Sequence, residues 1–239
     1  MSEILPIQKS NSDEYGLLTY SMVVAIYNEN IDWVYHYEDT KIRNYKFQKI
    51  FLYIKNRERY EKLIEKEHSE LFEIISLPNV GSCDYVYLHH IINNYDNLTD
   101  CIEFRKGSGS RVPTMYNMNC FLKNIPDDVA NFHLDHWDFT YNKNLNFKYE
   151  KSGFKNVRDY LLSLFSESAV NKLFDGFNYV LYFGNFSVTR DNILRYPKMV
   201  YEKLQCLEGG PNREIDHYHE RIWGLLFSNK YKKINFEAS

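Results

Sequence analysis

Cysteine is scarce and scattered in this chain of 239 residues: Cys83, Cys101, Cys120 and Cys206 form no C-x-x-C pair. That spacing suggests neither a zinc ribbon nor a disulfide framework, and it fits a reducing compartment. Long apolar runs are also missing. No stretch approaches the ~20 apolar residues of a membrane span, and residues 1–18 are polar and acidic, without the apolar core of a signal peptide. The expectation is a soluble, cytoplasmic protein with no transmembrane segment. Charge of one sign is lacking too, since 29 Lys and Arg stand against 32 Asp and Glu, for a net charge of −3 and a pI near 6.3. This balance provides no overall attraction to nucleic acid or anionic lipid, so nucleic acid is not an expected partner. No internal repeat, no Gly-Lys-Ser/Thr of a P-loop and no dinucleotide fingerprint is present.

What is there reads as one α/β domain. Hydrophobic residues at 44% and charged residues at 26% are ordinary globular usage, and the length suits a single core with at most a small elaboration. The 17% aromatic content is high. Aromatic faces suit sugar rings and bases, but Asn, Lys and Ile are abundant as well, so this bias carries little weight.

Ser21 to Trp33 organises the reading. Val23, Val24 and Ile26 favour a buried strand, and Tyr27-Asn28-Glu29-Asn30 is a polar, turn-prone break before a short helix from Ile31 to Tyr37. A strand, loop and helix start of this kind lies at the carboxyl edge of an open α/β sheet, where ligands collect and free helix N–H groups suit anions. Further strands are expected at Lys49–Lys55, Phe72–Leu77, Asp100–Phe104 and Tyr179–Val188. Helices are expected over Arg57–Phe72, from Ser82 as cap to Tyr95, and over Met115–Leu122, Val157–Phe165, Met199–Leu207 and Glu214–Phe227, with a short one opening at Asp191–Leu194. His89 and His90 lie beside the apolar stripe of the Ser82 helix and read as structural. Residues 1–18 form a flexible arm, 19–228 the domain, and 229–239 a tail.

Three constellations could carry chemistry. The loop Arg105-Lys106-Gly107-Ser108-Gly109-Ser110-Arg111 follows a strand, and its N–H groups and cations could hold a diphosphate; a solvated turn is the competing reading. His133-Leu134-Asp135-His136-Trp137-Asp138 has the ligand types of Zn²⁺ or Mn²⁺, against a surface loop anchored by Trp137. In the last helix Ile215, Tyr218, Ile222, Leu225 and Leu226 define the buried stripe, which puts Glu220 and Arg221 to either side of it, facing a cleft or water.

The order of Val24-Ala25-Ile26-Tyr27-Asn28-Glu29 with Asp32-Trp33, then Leu77-Pro78-Asn79-Val80-Gly81, then Tyr87-Leu88 and His90-Ile91-Ile92, resembles a domain-of-unknown-function family. Its members are similar to nucleotide-sugar glycosyltransferases of the GT-A type. Gly184-Asn185-Phe186-Ser187-Val188-Thr189-Arg190 and Glu220-Arg221-Trp223-Gly224 extend the likeness. The resemblance implies a single GT-A-like domain with a mixed, mainly parallel sheet flanked by helices, acting on a nucleotide-sugar donor and a glycan or other hydroxyl acceptor. It implies a donor site at Ala25, Tyr27, Asn28 and Glu29, with Arg105 and Lys106 on the diphosphate. Gly184, Asn185, Arg190, Arg221 and Trp223 fall on the acceptor side, and Glu220 is the base. The Asp-x-Asp metal motif of such enzymes is absent, Glu103-Phe104-Arg105-Lys106 standing in its place. Either cations neutralise the diphosphate or a divalent metal, Mn²⁺ or Mg²⁺, sits at Glu103, Asp135 or Asp138. The alternatives are a metal-dependent hydrolase using residues 133–138 and a non-catalytic sugar- or protein-binding domain.

Overall fold

The computed structural model describes residues 18–39, 45–66, 70–108, 152–174, 184–206 and 214–227. The expectations for residues 1–17, the helix over 115–122, the cluster over 133–138 and the tail lie outside the described residues. Within them the chain is an α/β protein built on a five-stranded sheet: β1 Leu18–Ile26, β2 Tyr45–Ile54, β3 Phe72–Ser76, β4 Cys101–Lys106 and β5 Phe186–Thr189. The strand order is β3-β2-β1-β4-β5. The first four strands are parallel, and β5 runs antiparallel to β4.

Side-chain alternation decides what each face buries, because successive residues of a strand point to opposite sides. On one face Tyr20, Met22, Val24 and Ile26 pack with Ile50, Leu52 and Ile54 beneath Ile31, Val34 and Tyr60. Ile31 immediately precedes a 3-10 helix, Asp32–Asp39, that carries Val34, and Tyr60 comes from helix α1, Arg57–Lys66. On the other face Val23, Ala25, Ile102 and Phe104 meet α2 Cys83–Asn93, α3 Val157–Leu162, α4 Glu167–Phe174, α6 Lys198–Cys206 and α7 Glu214–Phe227. A one-turn α5, Arg190–Ile193, follows β5 directly, with Thr189 Oγ1 accepting from the Asn192 N–H at 3.3 Å. Among the described residues no helix is long and apolar enough to cross a membrane.

Element types agree with the sequence reading more than their limits do. β1 begins at Leu18, three residues before the expected strand, and β2 reaches back to Tyr45. A β-bulge lets it do so: Tyr20 pairs with Phe47 and Ser21 with Lys49, leaving Gln48 as the extra residue. β4 extends two residues past Phe104, taking Arg105 and Lys106 out of the expected loop. β5 has four residues, and α3 stops at Leu162 with α4 as an unforeseen second helix.

His90 is structural, as expected. It is buried against Phe51 and Phe104, its Nδ1 lies 2.9 Å from Tyr53 Oη, and burial lowers its pKa to about 3, so the ring is neutral.

Winding runs outward from β1 through β2 to β3 and then, by way of α2, returns to the far side of β1 as β4. Reversal of this kind opens a crevice between the carboxyl ends of the two strands flanking the switch. Phe104 anchors that region from below, with ring centroids 4.8 Å from Tyr87 and 5.1 Å from Phe186. Phe104→Ala is expected to cost about 3–5 kcal/mol in urea denaturation, the range for deleting a buried aromatic, while Leu194→Ala on the exposed turn after α5 stays within about 0.5 kcal/mol.

Candidate functional site

The loops leaving β1 and β4 meet at the carboxyl edge. A Cβ placed on Gly107 would lie 3.0 Å from Glu29 Oε2, and Trp33 Nε1 donates to Gly107 O at 2.9 Å. Glu29 organises its own loop, its Oε2 accepting from the Tyr27 N–H at 2.7 Å and the Asn28 N–H at 2.9 Å. Tyr60 Oη holds the Glu29 carbonyl at 2.5 Å, and Asn56 Nδ2 donates to Asn28 Oδ1 at 2.6 Å.

Next to these loops lies a cleft of ≈ 390 Å³. It is walled by the strand ends Ala25, Ile26 and Lys106, by Tyr27 and Glu29, and by Gly81, Ser82 and Cys83 at the start of α2. Its size and place match a small-molecule site at a topological switch point. Lys55, the residue after β2, closes one side. Its ammonium donates to the carbonyls of Val80, Gly81 and Ser82 at 2.6, 2.8 and 2.5 Å, which fixes the loop ahead of α2.

Beside the cleft lies a charged pair. Lys106 Nζ stands 3.5 Å from Glu220 Oε1, with 31% and 17% of the two side chains exposed. The neighbouring Cys83 sulfur, then the Glu220 and Asp84 carboxylates, push the lysine upward against the opposing effect of burial, so it is an ammonium at any working pH. Burial pushes the Cys83 thiol well up, which keeps it neutral, so the pairing of that ammonium rests on the carboxylates. Burial also raises Glu220, with Lys106 and Arg221 pulling it back down.

A buried carboxylate fixes the relation between the two helices that carry these groups. Asp84 Oδ1 accepts from Trp223 Nε1 at 2.6 Å, and Oδ2 accepts from Ser82 Oγ at 2.5 Å. Ser82 in turn caps α2, accepting from the Asp84 N–H at 3.3 Å. Trp223, one turn after Glu220, also stacks on Phe227 with ring centroids 5.6 Å apart. On the third side Tyr87 Oη donates to Gly184 O at 2.8 Å, and the Lys106 N–H donates to Asn185 Oδ1 at 2.9 Å. Gly184 has φ +63°, and a Cβ there would meet Cys83 Sγ at 2.9 Å and Lys106 Cε at 3.0 Å, so a side chain is excluded by both backbone and space.

The structure thus gathers Ala25, Tyr27, Glu29, Lys106, Gly184, Asn185 and Glu220 at one edge and separates others from them. Asn28 belongs to the same loop but is occupied with Asn56. Arg105 points to the opposite face of the sheet from Lys106, where it forms a buried ion pair with Glu103 and lies 5.6 Å from the Trp33 ring centroid. Glu103 is committed to that pair. Arg190 sits at the other edge of the sheet, 3.3 Å from Asp100 Oδ1, because antiparallel β5 carries the chain from one edge to the other. Arg221 donates to the His217 carbonyl at 2.5 Å and lies 3.6 Å from Glu220 Oε2. Trp223 is wholly buried. Asp135 and Asp138 lie outside the described residues, and among the described residues no group of three or more His, Cys, Asp or Glu is placed to hold a metal ion.

Lys55 and Cys83 were not singled out as site residues. Lys55 carried a readable signal, a cation at the end of an expected strand, whereas a buried cysteine in a helix start carries none.

Trp223→Phe keeps the ring stack and removes the donor from Asp84 Oδ1. Its expected cost is about 1–3 kcal/mol of stability, read by denaturant titration, because a buried carboxyl oxygen loses its partner. No protein-family model, no curated protein and no solved structure matches the chain.

Proposed function

We propose that the chain is a GT-A-like glycosyltransferase that moves a sugar from a nucleotide-sugar donor to a hydroxyl acceptor on a glycan. The observation that supports this most is the meeting of Lys106 and Glu220 beside a crevice between the carboxyl ends of β1 and β4. A transfer of this type needs positive charge where the diphosphate departs and a base where the acceptor loses its proton. One ammonium and one carboxylate of raised pKa, standing together at a ligand-sized cleft, meet both needs.

In this reading the base and ribose of the donor lie along the β1 loop at Ala25, Tyr27 and Glu29, and the diphosphate faces Lys106. The acceptor oxygen bonds to the anomeric carbon as the bond from that carbon to the diphosphate breaks. Glu220 takes the hydroxyl proton, and the charge left on the diphosphate is met by Lys106. Gly184 and Asn185 shape the acceptor side. Arg105 is committed to Glu103, so Lys106 is the cation that β4 offers to the cleft. Mn²⁺ or Mg²⁺ would supply further positive charge at the diphosphate. Glu103 does not fit as its ligand, since its carboxylate is buried against Arg105.

A thermal-shift series with uridine, guanosine, cytidine and thymidine diphosphates, each with and without Mn²⁺, tests the donor site. One of them is expected to raise Tm by a few degrees through linkage. Lys106→Met should abolish the rise, and failure of all four nucleotides to stabilise the wild-type chain would rule the reading out.

Glu220→Gln is expected to keep the nucleotide response and lower turnover by about 10²–10⁴-fold. The base must be deprotonated to act, so kcat/KM should climb with pH through the pKa of Glu220. Burial places that limb above the ordinary carboxylate range. A variant with undiminished turnover would instead mark a binding domain or a different base.

A further inference from the structure

A second cavity, of ≈ 480 Å³, opens at the amino edge of the sheet, at the opposite end of the strands from the cleft. It lies between the start of β2 and the C-terminal end of α2, and its walls include Lys49, Phe51, His90, Asn94, Asn97 and Thr99. The bulge at Gln48 shapes it. By inserting one residue, the bulge turns Lys49 and Phe51 onto the face covered by α2, while Phe47 stays on the other face beside Tyr20 of β1, ring centroids 4.7 Å apart.

The hydrogen-bonding groups around this cavity are of both kinds. Asn94 Nδ2 donates to His90 O at 3.0 Å and lies 3.3 Å from His90 Nδ1, which leaves Asn94 Oδ1 as an acceptor. His90 Nδ1 is also 2.9 Å from Tyr53 Oη; with Nδ1 accepting from that hydroxyl and from Asn94 Nδ2, the ring proton sits on Nε2, for which the described residues provide no partner. Burial keeps that imidazole neutral. Asn97 and Gln48 add two amides, and Phe51, whose ring meets His90 edge-on with centroids 4.6 Å apart, contributes an apolar surface. Lys49 Nζ is paired with Glu73 Oε2 at 3.1 Å, and Lys46 adds a second cationic side chain to the wall. The C-terminal end of α2 presents carbonyl oxygens, which disfavour an anion.

We propose that this cavity is a binding site for one unit of a neutral carbohydrate, separate from the cleft at the other edge. A hydroxyl both donates and accepts, and so matches mixed amide and imidazole groups that an anion or a cation would satisfy only in part. An aromatic side chain among such groups suits the apolar side of a sugar ring. The volume lies within the range of small-molecule pockets.

The test uses the full chain and D-glucose, D-galactose, D-mannose and N-acetyl-D-glucosamine, with inorganic phosphate as the anionic comparison. Saturation-transfer NMR and calorimetry are expected to show saturable, one-to-one binding of at least one sugar, with Kd on the order of 1 mM. Asn97→Leu and Gln48→Leu alter exposed wall residues, so Tm and circular dichroism should be unchanged. Each variant should weaken sugar binding about tenfold while leaving any response to nucleoside diphosphates intact. Absence of saturable binding by all four sugars overturns the proposal, as does sugar binding that both variants leave untouched, or saturable phosphate binding without any sugar. These readouts are lost at the amino edge alone, so they stand or fall independently of nucleotide binding in the other cleft.

Discussion

The interaction on which the site's geometry depends is the one between the Asp84 carboxylate and the Trp223 indole N–H, at 2.6 Å. Lys106 comes from the sheet and Glu220 from the last helix described, 114 residues apart. Two such groups hold a fixed distance only if the elements carrying them are locked together. Asp84 provides that lock because it is fully committed: one oxygen holds α7 through Trp223, the other holds the Ser82 cap of α2, and α2 is packed on the sheet. A buried carboxylate with both oxygens occupied is costly to disturb, since any shift of α7 leaves a polar atom without a partner. The charged pair at the cleft is therefore held by a second, deeper polar contact.

That arrangement also determines which group faces an anionic ligand. The N–H groups at the start of a helix ordinarily attract phosphate, but here the first turn of α2 carries Asp84, and its cap is already satisfied by Ser82. The helix end is neutralised from within. Lys55, the other cation on the cleft wall, has its ammonium surrounded by three carbonyls and serves the loop. Among the described residues, positive charge at the cleft thus falls to Lys106, with Glu220 as its partner.

Much of the fold was legible in the sequence, and the illegible parts have specific physical causes. The apolar runs around Val23, Phe51 and Ile102 announced buried strands, and Ser82 with the stripe through Leu88 and Ile91 announced α2. The break at Tyr27 to Asn30 marked the carboxyl end of β1, and helical spacing put Glu220 beside the buried stripe of α7, with cleft and water both open as its surroundings. Arg105 and Lys106 were misplaced because two cations before Gly-Ser read as a turn. In the structure they end β4, and strand alternation sends them to opposite faces. Nothing in a linear pattern shows that Glu103 and Arg105 neutralise each other two residues apart, since that depends on the face being covered. The block from Gly184 to Arg190 reads as one local unit. Antiparallel β5 makes it a crossing, with Gly184 at one edge and Arg190 clamped to Asp100 at the other.

Helix α2 is where these features meet. Its 11 residues span ~16 Å at 1.5 Å per residue, close to the length of six-residue β4 at ~3.3 Å per residue, and its two ends wall a concave surface at each edge. Ser82 and Cys83 wall the cleft at the carboxyl edge, and His90 and Asn94 wall the cavity at the amino edge. Between them Tyr87 holds the Gly184 carbonyl, and His90 meets the Tyr53 hydroxyl. These polar contacts sit inside an otherwise apolar interface, where each is satisfied only in one register of helix on sheet. Sliding α2 along the strands would break the contacts at Asp84, Tyr87 and His90 together. The helix is consequently pinned at three levels, and the shapes of both concave surfaces follow from one packing arrangement.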